Sequence, residues 1–233
     1  MEARETIIIG DIHGCIDELN DLLKTISYSP EKHRIILLGD LIDRGPDSLG
    51  VVQKARQMNF ECVMGNHEQK FLKCYNKPDH KEYKDFYKDF TEIDIQYISQ
   101  MPLYIQIGNT IAVHAGLKPG ISISNQSKGD MLHLRYTDIN RKFISLKTIN
   151  EIGIEAAEAH FWTEFWNGPE SVVYGHNVHS FEKPLIEEVS NGIFCYGLDT
   201  GCCFGGYLTA LILEKKEIIQ IKAKKTYYKS RFK

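Results

Sequence analysis

The stretch Gly39-Asp40-Leu41-Ile42-Asp43-Arg44-Gly45 decides how this chain is read. It follows an apolar, strand-like run at Arg34–Leu38 and precedes the turn Gly45-Pro46-Asp47. Its charged groups are therefore expected on a loop at the end of a strand, the edge where open α/β sheets commonly carry their chemistry. Two carboxylates and a guanidinium this close together are not buried without partners. Two readings are open: a solvated turn, since Asp, Gly and Pro are ordinary turn residues, or a loop that holds a ligand.

Outward from that loop the pattern repeats. Thr6–Ile9 reads as a buried strand running into Gly10-Asp11-Ile12-His13-Gly14. Asp11 and His13 are two apart, so in extended backbone they share a side and can grip one ion. Cys15–Ile26 carries Ile16, Leu19, Leu22, Leu23 and Ile26 at helical spacing. Leu49–Met58 reads as the next helix, and Phe60–Met64 as a third strand that ends at Gly65-Asn66-His67-Glu68. This β-α-β-α-β order implies a parallel core with right-handed crossovers. Tyr104–Ile107 and Thr110–Val113 flank Gly108-Asn109 as a hairpin, and the second strand runs into His114-Ala115-Gly116. Val172–Tyr174 is a strand before Gly175-His176, and Glu158–Phe165 looks helical. Ile193–Tyr196 and Tyr207–Leu213 alternate like strands of a second sheet across a Gly201–Gly206 turn.

Five such polar blocks, each after a short β-like run and in this order, resemble the metallophosphoesterases of the phosphoprotein phosphatase type. They are most similar to small bacterial members, which share motifs with Ser/Thr phosphatases and symmetrical diadenosine tetraphosphate hydrolases. The resemblance implies an α/β fold of two mixed sheets packed as a sandwich flanked by helices, with a metal site at the strand C-terminal ends. Asp11, His13, Asp40, Asn66, His114 and His176 offer carboxylate, imidazole and amide donors without a thiolate. That set suits manganese, iron or zinc rather than magnesium alone. Six ligands exceed what one tetrahedral zinc with an open position needs, but they serve two divalent ions. The resemblance makes Asp40 the bridge, with Asp11 and His13 on one ion and Asn66, His114 and His176 on the other; manganese is the favoured metal.

The same resemblance pairs His67 with Asp43 as general acid and orienting carboxylate, and gives Arg44 a two-pronged grip on phosphoryl oxygens. Arg135, within Leu132–Arg135, loosely resembles a second clamp, although the tryptophan usual in that element is missing. Two divalent ions facing two ligand carboxylates, with Arg44 added, leave a positive field that a phosphate would balance. The implied reaction is direct hydrolysis by a water activated between the metals, without a phosphoenzyme. A phosphomonoesterase of the Ser/Thr phosphatase type is the leading expectation, because tetraphosphate hydrolases usually lack the Asp43-Arg44 pair. A diadenosine tetraphosphate hydrolase is the alternative, and a non-catalytic phosphate-binding module is the third reading. Phosphorylated proteins or small phosphorylated molecules are the expected partners, nucleotides among them. Regulatory subunits are not implied, since no Ser-Ala-Pro-Asn-Tyr segment is present.

Composition narrows the rest. The 233 residues fit a single domain, 1–233, with possible cap or insert regions at 71–100 and 118–150 and a basic tail at 222–233. Aromatics of 71–100 are expected to pack inward, and the tail to be a solvated, fraying terminus. A net charge of −3 points to neither nucleic acid nor membrane by bulk charge. No apolar run reaches membrane-spanning length and no leader is visible, so a cytoplasmic location is expected. Six cysteines without a Cys-x-x-Cys pair are read as reduced, mostly core residues. His33, His80, His133, His160 and His179 are read as structural or exposed, and Glu68 as a cap or local ion-pair partner.

Overall fold

The computed structural model describes residues 4–77 and 87–229. β1 (Glu5–Ile9), β2 (His33–Leu37) and β3 (Glu61–Cys62) lie parallel, linked by α1 (Ile16–Thr25) and α2 (Ser48–Gln57). β12 (Tyr207–Ile212) joins β1 antiparallel and β13 (Glu217–Lys222) closes the edge, giving the order β13-β12-β1-β2-β3. The second sheet is β10-β11-β9-β5-β4. Its centre is parallel: β5 (Thr110–Val113), β9 (Ser171–Tyr174) and β11 (Ile193–Gly197). The antiparallel edges are β4 (Tyr104–Ile107) and β10 (Leu185–Ser190).

The strands read as nearly continuous apolar runs because both of their faces are covered. Along β1, Ile8 enters the layer between the sheets with Ile36, Leu38, Val63, Ala112, Val173, Tyr196 and Leu211. Ile7 and Ile9 face the opposite way, onto Leu19, Leu22, Val51, Val52 and Phe71 of the helices. The outer face of the second sheet packs Ile111, Val113, Val172 and Tyr174 on Met131, Leu134, Trp162 and Trp166. Truncating Ile8, which is fully buried, to alanine costs about 2–5 kcal/mol on the usual scale for such deletions.

Several expectations change. Tyr207–Leu213 belongs to the first sheet and Ile193–Tyr196 to the second, so the turn between them crosses from one layer to the other. Their shared alternation could not tell which sheet each strand joins. Glu158–Phe165 is not a helix: His160–Phe161 pairs with Tyr136–Thr137, and Trp162–Phe165 is a 3-10 turn. Trp162 is fully buried beneath the second sheet and its amide donates to Arg135 O, contacts that α-helical winding would break. The third strand shortens to two residues, although Val63 N–H still reaches Leu37 O.

Residues 118–150 are not merely irregular. They hold a helix at Lys128–His133, most of another at Leu146–Ile152, and β6 (Tyr136–Thr137) and β7 (Phe143–Ile144), which β8 (His160–Phe161) completes as a small three-stranded sheet. In 71–100 the described aromatics Phe71, Tyr87 and Phe90 pack inward as expected, while Tyr75 is exposed; His80, Tyr83 and Phe86 lie outside the described residues.

The tail up to Lys229 is pinned, contrary to expectation. Ala223 N–H donates to Gly206 O, and Tyr227 and Tyr228 N–H donate to Cys203 O. The buried Glu18 carboxylate accepts from Lys224 N–H and Tyr227 O–H, both at 2.8 Å. A buried carboxylate needs such donors, and nothing in the helical pattern of α1 marks Glu18 as a buried residue.

Candidate active site

Every polar block of the sequence ends a strand at the same edge of the sandwich. Asp11 and His13 follow β1, Asp40 follows β2, and Asn66 and His67 follow β3; His114 and His176 follow β5 and β9. Backbone bonds sew the loops together: His13 N–H to Asp40 O at 2.8 Å, Gly14 N–H to Leu41 O at 2.8 Å, and Gly175 N–H to His114 O at 2.8 Å. Gly175 must be glycine, since a Cβ there would fall 2.0 Å from Asp11 Oδ1. His13, Asp40, Asp43, Arg44 and His176 all hold positive φ, between 46° and 70°. Such backbone costs about 1–3 kcal/mol per residue and persists only where its surroundings enforce it.

Asp40 stands at the centre. Its Oδ2 lies 3.5 Å from His13 Nε2 and its Oδ1 3.4 Å from His114 Nε2. Nitrogen and carboxylate donors of His13, Asp40 and His67 lie within 4.8 Å of one another, as do those of Asp40, His114 and His176. Asp40 therefore belongs to two candidate metal-holding groups at once. Asp11 accepts His176 N–H at 3.0 Å and 3.1 Å.

The hydrogen bonds also fix which atoms face inward. His13 Nδ1 donates to Ile42 O and His114 Nδ1 to Leu38 O, which leaves the lone pair of each neutral ring on Nε2. Around His114 Nε2 converge Asn66 Oδ1 at 2.9 Å and His176 Nδ1 at 3.1 Å. His176 Nε2 is buried without a hydrogen-bond partner among the described residues. Burial is the main cause that pushes His13 down to about 3 and holds His114 and His176 below their ordinary values. Neutral imidazoles, an amide oxygen and a carboxylate converging in this way fit divalent transition ions well.

Carboxylates crowd the same place. Burial raises Asp11, with Asp199 and Asp40 adding repulsion. Burial also raises Asp199, to about 6, while its bond from Gly201 N–H opposes this. Burial acts against the Asp40 charge too, but four neighbouring histidines outweigh it and hold the carboxyl below its usual range. Asp199 was missed as a site residue; its signal was the Asp199-Thr200-Gly201 turn after a strand, the grammar of the other blocks.

His67 is the second residue of α3 (Asn66–Tyr75) and its Nδ1 lies 2.5 Å from Asp43 Oδ2. Tyr87 O–H donates to the other oxygen of Asp43. Burial opposes the His67 charge, yet Asp40 and the bond to Asp43 outweigh it and raise its pKa. Nε2 is then the proton-bearing atom facing the site, 3.8 Å from Asp40 Oδ2. Tyr87, an aromatic of the possible cap region, thus packs inward and also touches the site. Glu68, fully buried, does more than cap: its oxygens accept from Asp40 and Leu41 N–H at 2.8 Å and from Gly65 N–H at 3.0 Å. It shapes the loop that carries Asp40.

Both arginines reach the cluster. Arg44 Nη1 lies 2.7 Å from His13 Nε2, and its guanidinium stacks 5.2 Å from the Phe204 ring centroid. Arg135 donates from Nε to Asn177 Oδ1 and from Nη2 to His176 O. Among the unrecruited histidines, the His133 ring stands 6.3 Å from His176, and His160 and His179 bond to Glu164 and Asn177 away from Asp40. The buried thiols Cys15 and Cys202 group with Glu18 beneath the tail. Contact with Cys15, together with burial, pushes the Cys202 thiol up and so keeps it protonated.

A sandwich with this edge defines a calcineurin-like phosphoesterase, and the chain belongs to that family, whose model matches residues 5–206. It is a metal-dependent phosphoesterase, a hydrolase of a family that works with two metal ions. The chain is 29% identical to the asymmetrical bis(5'-nucleosyl)-tetraphosphatase PrpE of Oceanobacillus iheyensis, over 97% of this chain and 95% of that one. It is 29% identical to the symmetrical bis(5'-nucleosyl)-tetraphosphatase of Baumannia cicadellinicola, over 94% and 93%. Among solved structures, a candidate diadenosine tetraphosphatase superposes with a TM-score of 0.80 at 29% identity, covering 94% of both chains. A Saccharomyces cerevisiae serine/threonine phosphatase shares the fold, with a TM-score of 0.58 at 14% identity. No helix among the described residues is long and apolar enough to cross a membrane.

Proposed function

We propose that this chain hydrolyses dinucleoside tetraphosphates, cutting a phosphoanhydride rather than a phosphoprotein ester. The supporting observation is that relatives named for this activity, symmetrical and asymmetrical alike, match over more than nine-tenths of both chains. This reverses the order of the two sequence expectations. The Asp43-Arg44 pair had favoured a monoester, but a single pair weighs less than similarity along the whole chain.

In this reading Asp11 and His13 would hold one ion, Asn66, His114 and His176 a second, and Asp40 would serve both; manganese is the metal proposed. When bound, such ions polarise the phosphoryl group and lower the pKa of water. The chain's own groups do the rest. Arg44 and Arg135 neutralise equatorial oxygens as charge develops in the transition state. His67 delivers its Nε2 proton to the departing oxygen, and Asp43, bonded to Nδ1 and to Tyr87, keeps the ring turned for that transfer. The N-terminus of α3 presents His67 N–H to Asp40 Oδ1 at 3.0 Å, which fixes that carboxylate.

One observation still speaks for a monoester. The Asp43–His67–Tyr87 chain is machinery for a strongly basic leaving group, which a nucleoside phosphate is not. A side-by-side comparison of kcat/KM on diadenosine tetraphosphate, a nucleoside monophosphate and a phosphoserine peptide decides. The proposal expects the tetraphosphate to lead, and a peptide preference would overturn it.

A further inference from the structure

Three segments distant in sequence meet beside Arg44. The turn Cys202–Phe204 brings up Phe204, whose ring lies under the Arg44 guanidinium. The segment after Gly175-His176 brings Phe181, and the C-terminal segment brings Tyr228. Both meet Phe204 edge to face, with centroids 6.3 Å and 6.1 Å away. Phe181 stays 45% exposed and Tyr228 40% exposed.

The placement of these rings is enforced. Gly201 makes room for Phe181, since a Cβ there would fall 2.6 Å from the Phe181 ring. Tyr228 is held by its N–H, which donates to Cys203 O, and the tail behind it by Glu18. A chain that pins its tail with a buried carboxylate and still leaves two aromatic rings partly in water has not spent those rings wholly on its core. Lys225 and Lys229, exposed on the same tail, give the surroundings positive charge. Phosphate belongs at Arg44, and in a nucleotide the base stands one ribose away from its phosphate. With Phe204 5.2 Å from the Arg44 guanidinium, and Phe181 and Tyr228 6.3 Å and 6.1 Å from Phe204, aromatic surface beside a phosphate clamp matches such a ligand in both charge and shape.

We infer that Phe181, Phe204 and Tyr228 form a nucleobase subsite, which takes the base of the nucleotide whose phosphate Arg44 holds. The inference rests on the dinucleotide reading above and adds where one of its bases lies. Stacking of a base on an aromatic side chain is worth a factor of roughly five to a hundred in affinity.

The test uses the full chain loaded with manganese and p-nitrophenyl phosphate as reporter. Inhibition by adenosine monophosphate is compared with inhibition by ribose 5-phosphate, which carries the same phosphate without a base. The intact protein should prefer adenosine monophosphate by roughly five- to a hundredfold. Phe181→Ala and Tyr228→Ala, both exposed positions, should bring that ratio toward one while kcat on the reporter stays within about twofold; Tyr228→Phe should keep it. A ratio near one in the intact protein, or a ratio unmoved in both alanine variants, would overturn the subsite. A protein that ignores diadenosine tetraphosphate yet keeps a ratio sensitive to both variants would sink the tetraphosphate reading and leave the subsite standing.

Discussion

At the scale of single residues, the pair Asp43–His67 and the two arginines make separable claims. His67→Asn removes the proposed acid and leaves Asn66 in place. General-acid catalysis is worth on the order of a hundred- to ten-thousand-fold for a basic leaving group and little for nitrophenolate. The variant should therefore lose more on a phosphoserine peptide than on nitrophenyl phosphate, and Asp43→Asn should show a weaker form of the same bias. Equal losses on both substrates would mean that His67 positions phosphate instead. The clamps are tested by Arg44→Ala and Arg135→Ala. Each should cut kcat/KM by about a hundredfold, the scale of one lost charge-stabilising donor, with metal content unchanged by elemental analysis. Arg135 was the weakest sequence match, and its position against Asn177 and His176 now places it beside the donor cluster. A normal rate in Arg135→Ala would move the second clamp elsewhere.

At the scale of elements, loops and caps bear the strain that the strands impose. Glu68→Ala leaves the amides of Asp40, Leu41 and Gly65 without their acceptor. It should cost about 1–3 kcal/mol in urea unfolding, the range for buried donors left unpaired. Asp94, buried at the start of the helix Glu92–Ser99, accepts from Thr91 and from Arg56 Nε of α2. Burial works against its charge, but the Thr91 and Arg56 bonds outweigh it and hold its pKa below the ordinary value. A depressed folded pKa means the stabilisation is present above the unfolded value and lost as pH falls through the folded one. Asp94→Asn should therefore flatten the stability curve on the acid side, below about pH 4, and change it least where carboxyls are neutral. An unchanged acid limb would show that these bonds add no net stability.

The elements that sequence made legible were those with one strong signal. Thr6–Ile9, Cys15–Ile26 and the Gly108-Asn109 hairpin had a period or a turn code, and they were placed nearly to the residue. The six proposed ligands were legible because each closed a strand. What stayed hidden depends on tertiary packing. Phe161–Trp162 looks helical until the second sheet needs a tryptophan beneath it, and Glu18 looks like a solvated helix residue until the tail folds over it.

At the scale of the whole molecule, the site is where the two sheets are joined by chemistry as well as packing. Donors come from β1, β2 and β3 on one side and from β5 and β9 on the other. Each ion bound there favours the folded state over the unfolded chain by about 2.7 kcal/mol at a hundredfold excess over Kd. For two ions on a chain of this length, that is a rise in Tm of roughly 11–22 °C. Manganese added to chelator-treated protein should produce this shift together with two ions per chain; one ion per chain, or no shift, would count against a site shared through Asp40. The left-handed backbone at His13, Asp40, Asp43, Arg44 and His176 has a consequence over evolutionary time. Glycine, or asparagine, at any of these five positions would relax the loop, so a lineage released from the need for turnover has an easy path away from the present residues. The five positions thus act as a gauge of selection. On the roles proposed above, a kindred chain that keeps all five side chains on this backbone keeps the means of turnover, and one that has drifted to glycine there has given it up.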